Sequence, residues 1–306
     1  HLEKKKLLAQ PIGKPTGSWQ TISEKQKQLA GIEGSNFYQA RLGARTEPYG
    51  VFWLEIKQIL SNGNLIVRNL AERGKREIQQ VEETIENDLV FPIISGADIK
   101  RWGIGFKNYV LITQDPHKRA GYPENTLRSD LPQTYGYLLR FKNELLERAA
   151  YKKYHADIGN PFYSQYNVAN YTFTRYKVVW KRMAGDLIAT VISQWKTPFG
   201  YKIIVPTDTT SFFPVENENE AHYLCAIVNS QPVRDFIKSF SSAGRGFGSP
   251  SVMEHVAIPR FNPKNELHRK LSEISQKCHQ FKTEGKEKEI EGLERENDGL
   301  VKNLFM

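Results

Sequence analysis

Cysteine is almost missing from this chain, with two in 306 residues. Cys225 and Cys278 fall in separate helical stretches, so neither a disulfide framework nor a cysteine metal site is expected, and both read as packing residues. Long apolar runs are missing too. No stretch approaches the roughly 18 residues of a membrane-spanning helix. Nor does an apolar signal-peptide core follow His1-Leu2-Glu3-Lys4-Lys5-Lys6. No membrane contact is expected, the expected location is cytoplasmic, and a start at His1 instead of methionine reads as a piece of a longer polypeptide.

The signatures of several chemistries are absent as well. No Gly-x-x-x-x-Gly-Lys-Ser/Thr occurs, which leaves a P-loop and ATP use unsupported. No Pro-Asp occurs, so Asp98-Ile99-Lys100 and Glu284-Gly285-Lys286 each supply only the second half of a Mg²⁺-nuclease pattern. The seven histidines are scattered without the i, i+4 helical pairing of a zinc site. Asn160-Pro161-Phe162-Tyr163 is one residue away from the Asn-Pro-Pro-Tyr/Phe tetrad that grips a flipped base for amino-methylation, but the second proline is missing. The glycine cluster Gly244-Arg245-Gly246-Phe247-Gly248 follows a helix, not the strand that a dinucleotide-type cofactor loop needs. No catalytic, metal or cofactor residue is expected.

What is present is positive charge on a globular composition. The formal net charge is +9, with 39% hydrophobic and 11% aromatic residues; such a field favours a polyanionic partner. Apolar alternation predicts a hairpin of residues 50–56 with 65–70 around Asn62-Gly63. It also predicts a short helix over 81–88, strands over 89–94 and 108–113, and a basic loop over 116–132. A helix over 133–151 and strands over 176–181, 189–192 and 203–205 follow. From Ala221 to Phe240 the apolar residues recur at three- and four-residue steps and predict one amphipathic helix, with Glu216, Glu218 and Glu220 complementing its start. The expectation is an α+β fold, a mixed sheet with packed helices: residues 1–35 a linker, 36–262 the main domain, and 263–306 a charged helical arm or hairpin weakened at Gly285 and Gly292.

Four ordered segments carry a resemblance. They are Tyr38-Gln39-Ala40-Arg41-Leu42-Gly43-Ala44-Arg45-Thr46; Pro92-Ile93-Ile94-Ser95-Gly96-Ala97-Asp98-Ile99-Lys100-Arg101-Trp102; Pro161-Phe162-Tyr163 with Tyr171-Thr172-Phe173 and Tyr176-Lys177-Val178-Val179-Trp180; and the block from Asp208 to Phe261. In this order they resemble the C-terminal target-recognition (specificity) domain of TaqI-type adenine-specific DNA methyltransferases and their type IIG restriction-modification relatives. The resemblance implies a non-catalytic unit that selects a sequence in double-stranded DNA. It also implies an upstream methyltransferase domain that binds S-adenosylmethionine and methylates adenine, in some members with a nuclease further upstream. The resemblance places Pro161-Phe162-Tyr163 in the specificity domain.

Candidate DNA-binding residues are the basic and small polar ones at turns and strand ends: Arg41, Arg45 and Thr46; Lys100 and Arg101; Lys181 and Arg182; Ser242 and Arg245. Arginine can pair bidentately with guanine while lysine contacts phosphate as a point charge; which of Lys181 and Arg182 reads a base stays open, and Arg245 in the Ser/Gly loop is the leading single candidate. Trp102 is expected in the core. The alternative is a protein-interaction or structural module that docks through the C-terminal helices, with the basic charge incidental.

Overall fold

The computed structural model describes residues 8–12, 15–16, 19–22, 31–74, 76–241 and 246–306. Strands β1 (Leu8–Pro11) and β2 (Trp19–Ile22) form a short antiparallel ribbon; β3 (Arg41–Leu42) and a single helical turn, α1 (Tyr49–Phe52), follow. Then come β4 (Trp53–Ile59), β5 (Leu65–Asn69), β6 (Glu82–Ile85), β7 (Val90–Ile94) and a two-stranded turn of β8 (Ile99–Lys100) with β9 (Gly103–Ile104). Next is β10 (Asn108–Leu111), then the ribbon of β11 (Gln114–Asp115) and β12 (Ala120–Gly121). Helices α2 (Glu124–Asp130), α3 (Pro132–Arg140), α4 (Lys142–Leu146) and α5 (Ala149–Tyr154) lead to β13 (Tyr176–Lys181) and β14 (Ala189–Ile192). The hairpin of β15 (Gln194–Thr197) and β16 (Gly200–Ile203), then β17 (Val205–Pro206) and β18 (Thr210–Val215), end the strands. Helices α6 (Glu218–Asn229), α7 (Gln231–Phe240), α8 (Pro250–Met253), α9 (Glu266–Glu284) and α10 (Glu287–Leu304) close the chain.

The α+β expectation holds. A six-stranded sheet runs β17-β7-β10-β4-β5-β6, antiparallel apart from the β17–β7 pair, and a four-stranded antiparallel sheet runs β14-β13-β18-β3. Each sheet has its own core. Val51, Leu54, Val67, Val90 and Val110 pack with Leu138, Phe141 and Leu145 of α3 and its successors. Val178, Trp180 and Phe213 pack with Leu224 and Ile227 of α6. A small third cluster, including Ile94, Val179 and Phe212, joins them. Strand β13 serves two cores because successive side chains point to opposite faces, so Val178 and Trp180 enter one and Val179 the other. That is why its sequence reads as a continuous apolar run.

The predicted hairpin forms as β4 and β5, with Gly63 at φ 86° in the turn, where a side chain would be strained. Other elements differ from expectation for local reasons. Residues 82–85 are a strand, not a helix: β6 pairs along β5 from Leu65↔Ile85 to Arg68↔Glu82, and buries Ile85. Part of the 116–132 loop is helix α2, which begins after Pro123 and ends before Pro132. The 133–151 helix breaks into α3, α4 and α5. The last break lies at Arg148, whose extended backbone (φ −61°, ψ 126°) lets its guanidinium donate to the carbonyls of Leu145, Glu47, Ser164 and Phe162. The 221–240 helix divides at Ser230, which caps α7 by accepting from Val233 N–H, just before Pro232, whose ring is accommodated only in a first turn.

Described residues toward both ends of the chain bond to or pack with this body. In the expected linker, Gln20 Nε2 donates to Glu33 at 2.8 Å, and Ser239 of α7 donates to Gln20 Oε1 at 3.3 Å. Helices α9 and α10 form a hairpin turned by Gly285 in the left-handed conformation (φ 73°). Their Leu271, Ile274, Cys278, Ile290 and Val301 lie in the same core as α6. Both cysteines are buried free thiols.

Candidate nucleic-acid interface

Several of the segments singled out in the sequence meet where β13 ends and β18 begins. Gly43 N–H donates to Thr210 O at 3.1 Å, Ala44 N–H to Pro206 O at 2.8 Å, and Asp208 N–H to Ala44 O at 3.0 Å. A Cβ on Gly43 would lie 2.0 Å from Thr207 O, so only glycine permits this approach. Gly96 N–H donates to Thr209 Oγ1 at 2.9 Å. Arg182 N–H donates to Thr209 O at 3.1 Å and Arg182 O accepts from Gly248 N–H at 2.9 Å. Gly248 is pressed against β13, where a Cβ would sit 2.1 Å from Lys181 O. Its carbonyl accepts from Trp180 Nε1 at 2.8 Å and from Ser211 Oγ at 2.7 Å. Backbone complementarity, therefore, holds five separate parts of the sequence together on one edge.

Cations ring this edge. Arg182 is half-buried and spends Nη1 on Asp208 O at 3.0 Å, which orients the guanidinium and leaves further N–H groups to donate. The Lys181 ammonium, also half-buried, has no bonded partner among the described residues. Arg45, with a side chain 44% exposed, lies 3.4 Å from Glu47 and 3.9 Å from Asp208. Burial raises the Asp208 carboxyl pKa, while the Tyr49 hydroxyl, donating to it at 2.9 Å, favours its ionised form. Arg41 stacks over Tyr171 at 4.9 Å and donates to Gln39 at 2.6 Å. Arg119, in the left-handed conformation between β11 and β12 (φ 54°), also bears electrostatically on Tyr171. Such fixed guanidiniums suit phosphates and base edges.

The other sequence candidates lie in different surroundings. Thr46 is fully buried, and its hydroxyl accepts from Trp53 Nε1 at 3.0 Å, which gives it a packing role here. Lys100 is exposed on the β8–β9 turn. Arg101 is tied inward to Asn229 O and Glu294 at 3.2 Å each and to Leu187 O at 3.4 Å. Trp102 is 2% exposed, as expected, and donates to Glu294 at 2.7 Å. Ser242 and Arg245 lie outside the described residues.

The decoy motifs are occupied structurally. Asn160 Nδ2 is 2.7 Å from His155 Nδ1 and Tyr163 donates to Tyr122 O at 2.6 Å, so this tetrad-like segment is locked into the six-stranded lobe. Asp98 accepts from Ser95 N–H and Oγ, both at 2.7 Å, and caps a short 3₁₀ turn. Sequence reasoning missed two exposed features. One is the β15–β16 hairpin, with Trp195 41% and Tyr201 67% exposed beside Lys196. The other is a cleft of about 690 Å³ lined by Arg45, Arg73, Arg76, Arg148 and Lys153. Two local basic clusters, Arg73-Gly74-Lys75-Arg76 and Arg148 with Lys152-Lys153, could have pointed to it, but nothing in either cluster shows that the two face one cleft.

No protein-family model matches the chain. Over 171 residues it is 31% identical to the type II methyltransferase M.NspV of Nostoc sp., a match covering 54% of this chain and 32% of that protein. Its fold is similar to part of the type IIL restriction-modification enzyme MmeI, solved in complex with DNA, with a TM-score of 0.55 and 10% identity over 89% of this chain and 33% of that one. The chain spans about a third of the length of each relative. It is thus a partial homologue of a type II methyltransferase, with the fold of a portion of a restriction-modification enzyme.

Proposed function

We propose that this chain is the sequence-specific DNA-recognition part of a restriction-modification adenine DNA methyltransferase and contributes no catalytic group itself. The observation that carries the reading is the edge on which Gly43, Gly96 and Gly248 bring Arg45, Lys181 and Arg182 together from distant segments. The partial likeness to M.NspV and the fold shared with MmeI, a restriction-modification enzyme solved with DNA, support it. In this reading S-adenosylmethionine binds to an upstream methyltransferase domain of the same polypeptide, and the whole works in the cytoplasm. Residues 36–262 are the recognition unit and 263–306 its helical support. A docking role for the C-terminal helices finds less support, because Leu271, Ile274, Ile290 and Val301 are already buried in the chain's own core.

The test is anisotropy binding to a random-sequence duplex library at two salt concentrations, with sequencing of the retained DNA. Enrichment of one short motif is expected. The slope of log K against log salt should be about −0.9 per neutralised phosphate. Salt-independent binding overturns the reading, and binding of S-adenosylmethionine to the isolated chain overturns its non-catalytic part.

A further inference from the structure

The cleft beside Arg45 opens between the turn after β5, the α4–α5 region and Tyr166. Five cations, Arg45, Arg73, Arg76, Arg148 and Lys153, line it against one carboxylate, Glu47. Among the described residues, four of the cations, Arg73, Arg76, Arg148 and Lys153, are not paired with acid. Arg148 is 5% exposed and donates only to main-chain carbonyls. Arg76 donates to the carbonyls of Glu144 at 3.3 Å and Glu147 at 3.4 Å. Arg73 lies 5.2 Å over the Trp53 ring. Burial lowers Arg148 only to about 10, so it stays charged at neutral pH. The walls also carry aromatic faces. Tyr154 is 54% exposed and meets Tyr166 edge-on at 5.3 Å between ring centroids.

Concentrated positive charge beside a half-exposed tyrosine ring, over which Lys153 Nζ lies at 5.0 Å, matches a phosphate joined to a flat base that takes the ring's remaining exposed surface, and about 690 Å³ is in the range of small-ligand pockets. A simple carboxylate would leave the ring unused. An apolar ligand would leave the cations without a counter-charge.

We infer that this cleft binds a nucleotide unit, with its phosphate against Arg73, Arg76 and Lys153 and its base on Tyr154. Arg45 lines the cleft and also belongs to the proposed DNA-facing edge, so the inference rests on that reading for its preferred source, a displaced or single DNA strand. A free nucleotide shares the chemistry.

The experiment titrates the full chain with fluorescein-labelled dT8 and competes with unlabelled dT8 or dTMP. Salt-sensitive dT8 binding is expected. The Arg73→Gln/Lys153→Gln variant should bind at least about tenfold more weakly, with the salt slope reduced by about 1.4, two phosphates at about 0.7 each. Tyr154→Ala should weaken binding about tenfold, while Tyr154→Trp retains it. Competition by dT8 alone supports a strand, and equal competition by dTMP supports a free nucleotide.

Photocrosslinking of the unaltered chain to dT8 carrying 5-iododeoxyuridine needs no variant to fold, and should label Tyr154 or Tyr166. Absence of dT8 and dTMP binding, variants that bind normally, or crosslinks confined to other segments would overturn the inference. The duplex reading is tested separately by Lys181→Gln/Arg182→Gln, outside the cleft. If that variant loses duplex binding while the cleft variants bind dT8 and duplex normally, the cleft inference fails and the recognition edge stands.

Discussion

Lys177 should lower the stability of this fold at neutral pH, and replacing it with methionine should raise it. The residue lies in β13, opposite Ile192 and Pro214, and is fully buried. Its ammonium donates to Thr174 O at 2.7 Å, and the negative charge of Glu216 helps only partly. Burial pushes its pKa down from 10.5 to about 7. The unfolded chain therefore binds a proton more readily than the folded one between pH 7 and 10.5. The sign follows: stability rises as pH rises through this window and falls toward its lower end. With these two values the gain between pH 7 and pH 9 is about 2 kcal/mol, and the penalty below pH 7 approaches about 5 kcal/mol. Lys177→Met keeps the length and removes the titration. Urea unfolding at pH 7 and pH 9 should show the unaltered chain gaining on the variant by about 2 kcal/mol. The two differing by the same amount at both pH values would refute the reasoning, because it would mean that the buried amine keeps an ordinary pKa.

Other perturbations probe the same interlocking contacts. His222 and His279 are pushed down to about 3 and 4, first by burial, so the stability they contribute is present above pH 6.5 and lost as pH falls toward those values. Denaturant midpoints at pH 7 and pH 5 should reveal a loss of about 2 kcal/mol for each, which His279→Gln removes in part. Glu294→Ala takes the acceptor from Trp102 Nε1 and Arg101 together. It should cost about 1–3 kcal/mol in urea unfolding while leaving duplex affinity unchanged. Gly248→Ala forces a methyl group against Lys181 O and should destabilise by about 1–3 kcal/mol. Its duplex affinity should drop as Lys181 and Arg182 shift.

Much of the scaffold was legible from local chemistry. The β4–β5 hairpin followed from alternation around Asn62-Gly63, the amphipathic pattern after Glu218 from helical spacing, and the break at Gly285 from its place between two charged helical runs. The misread elements share a cause. The strand at 82–85 depends on an open edge of β5, and the last break in 133–151 depends on carbonyls that Arg148 collects, those of Glu47, Phe162 and Ser164 from other segments of the chain. Neither is visible in a short window of residues.

The candidate site divides in the same way. Arg45, Lys181 and Arg182 stood out because cations flank glycines or strand ends, and these positions do converge. Arg101 and Thr46 carried the same local signal, yet α10 supplies Glu294 to one and Trp53 engages the other. The cleft of Arg73, Arg76, Arg148 and Lys153 draws on two local basic clusters, 73–76 and 148–153, whose meeting across a long intervening stretch of chain is what the sequence does not reveal.

The sequence by itself determined the α+β class, most strands and helices, the excess of positive charge and the ordered segments that resemble a specificity domain, since each is encoded in composition or in short-range periodicity. Tertiary structure alone decided which cations remain free for an anion. A guanidinium's availability depends on the carboxylates and carbonyls that folding brings within about 3 Å of it, and those come from anywhere along the chain.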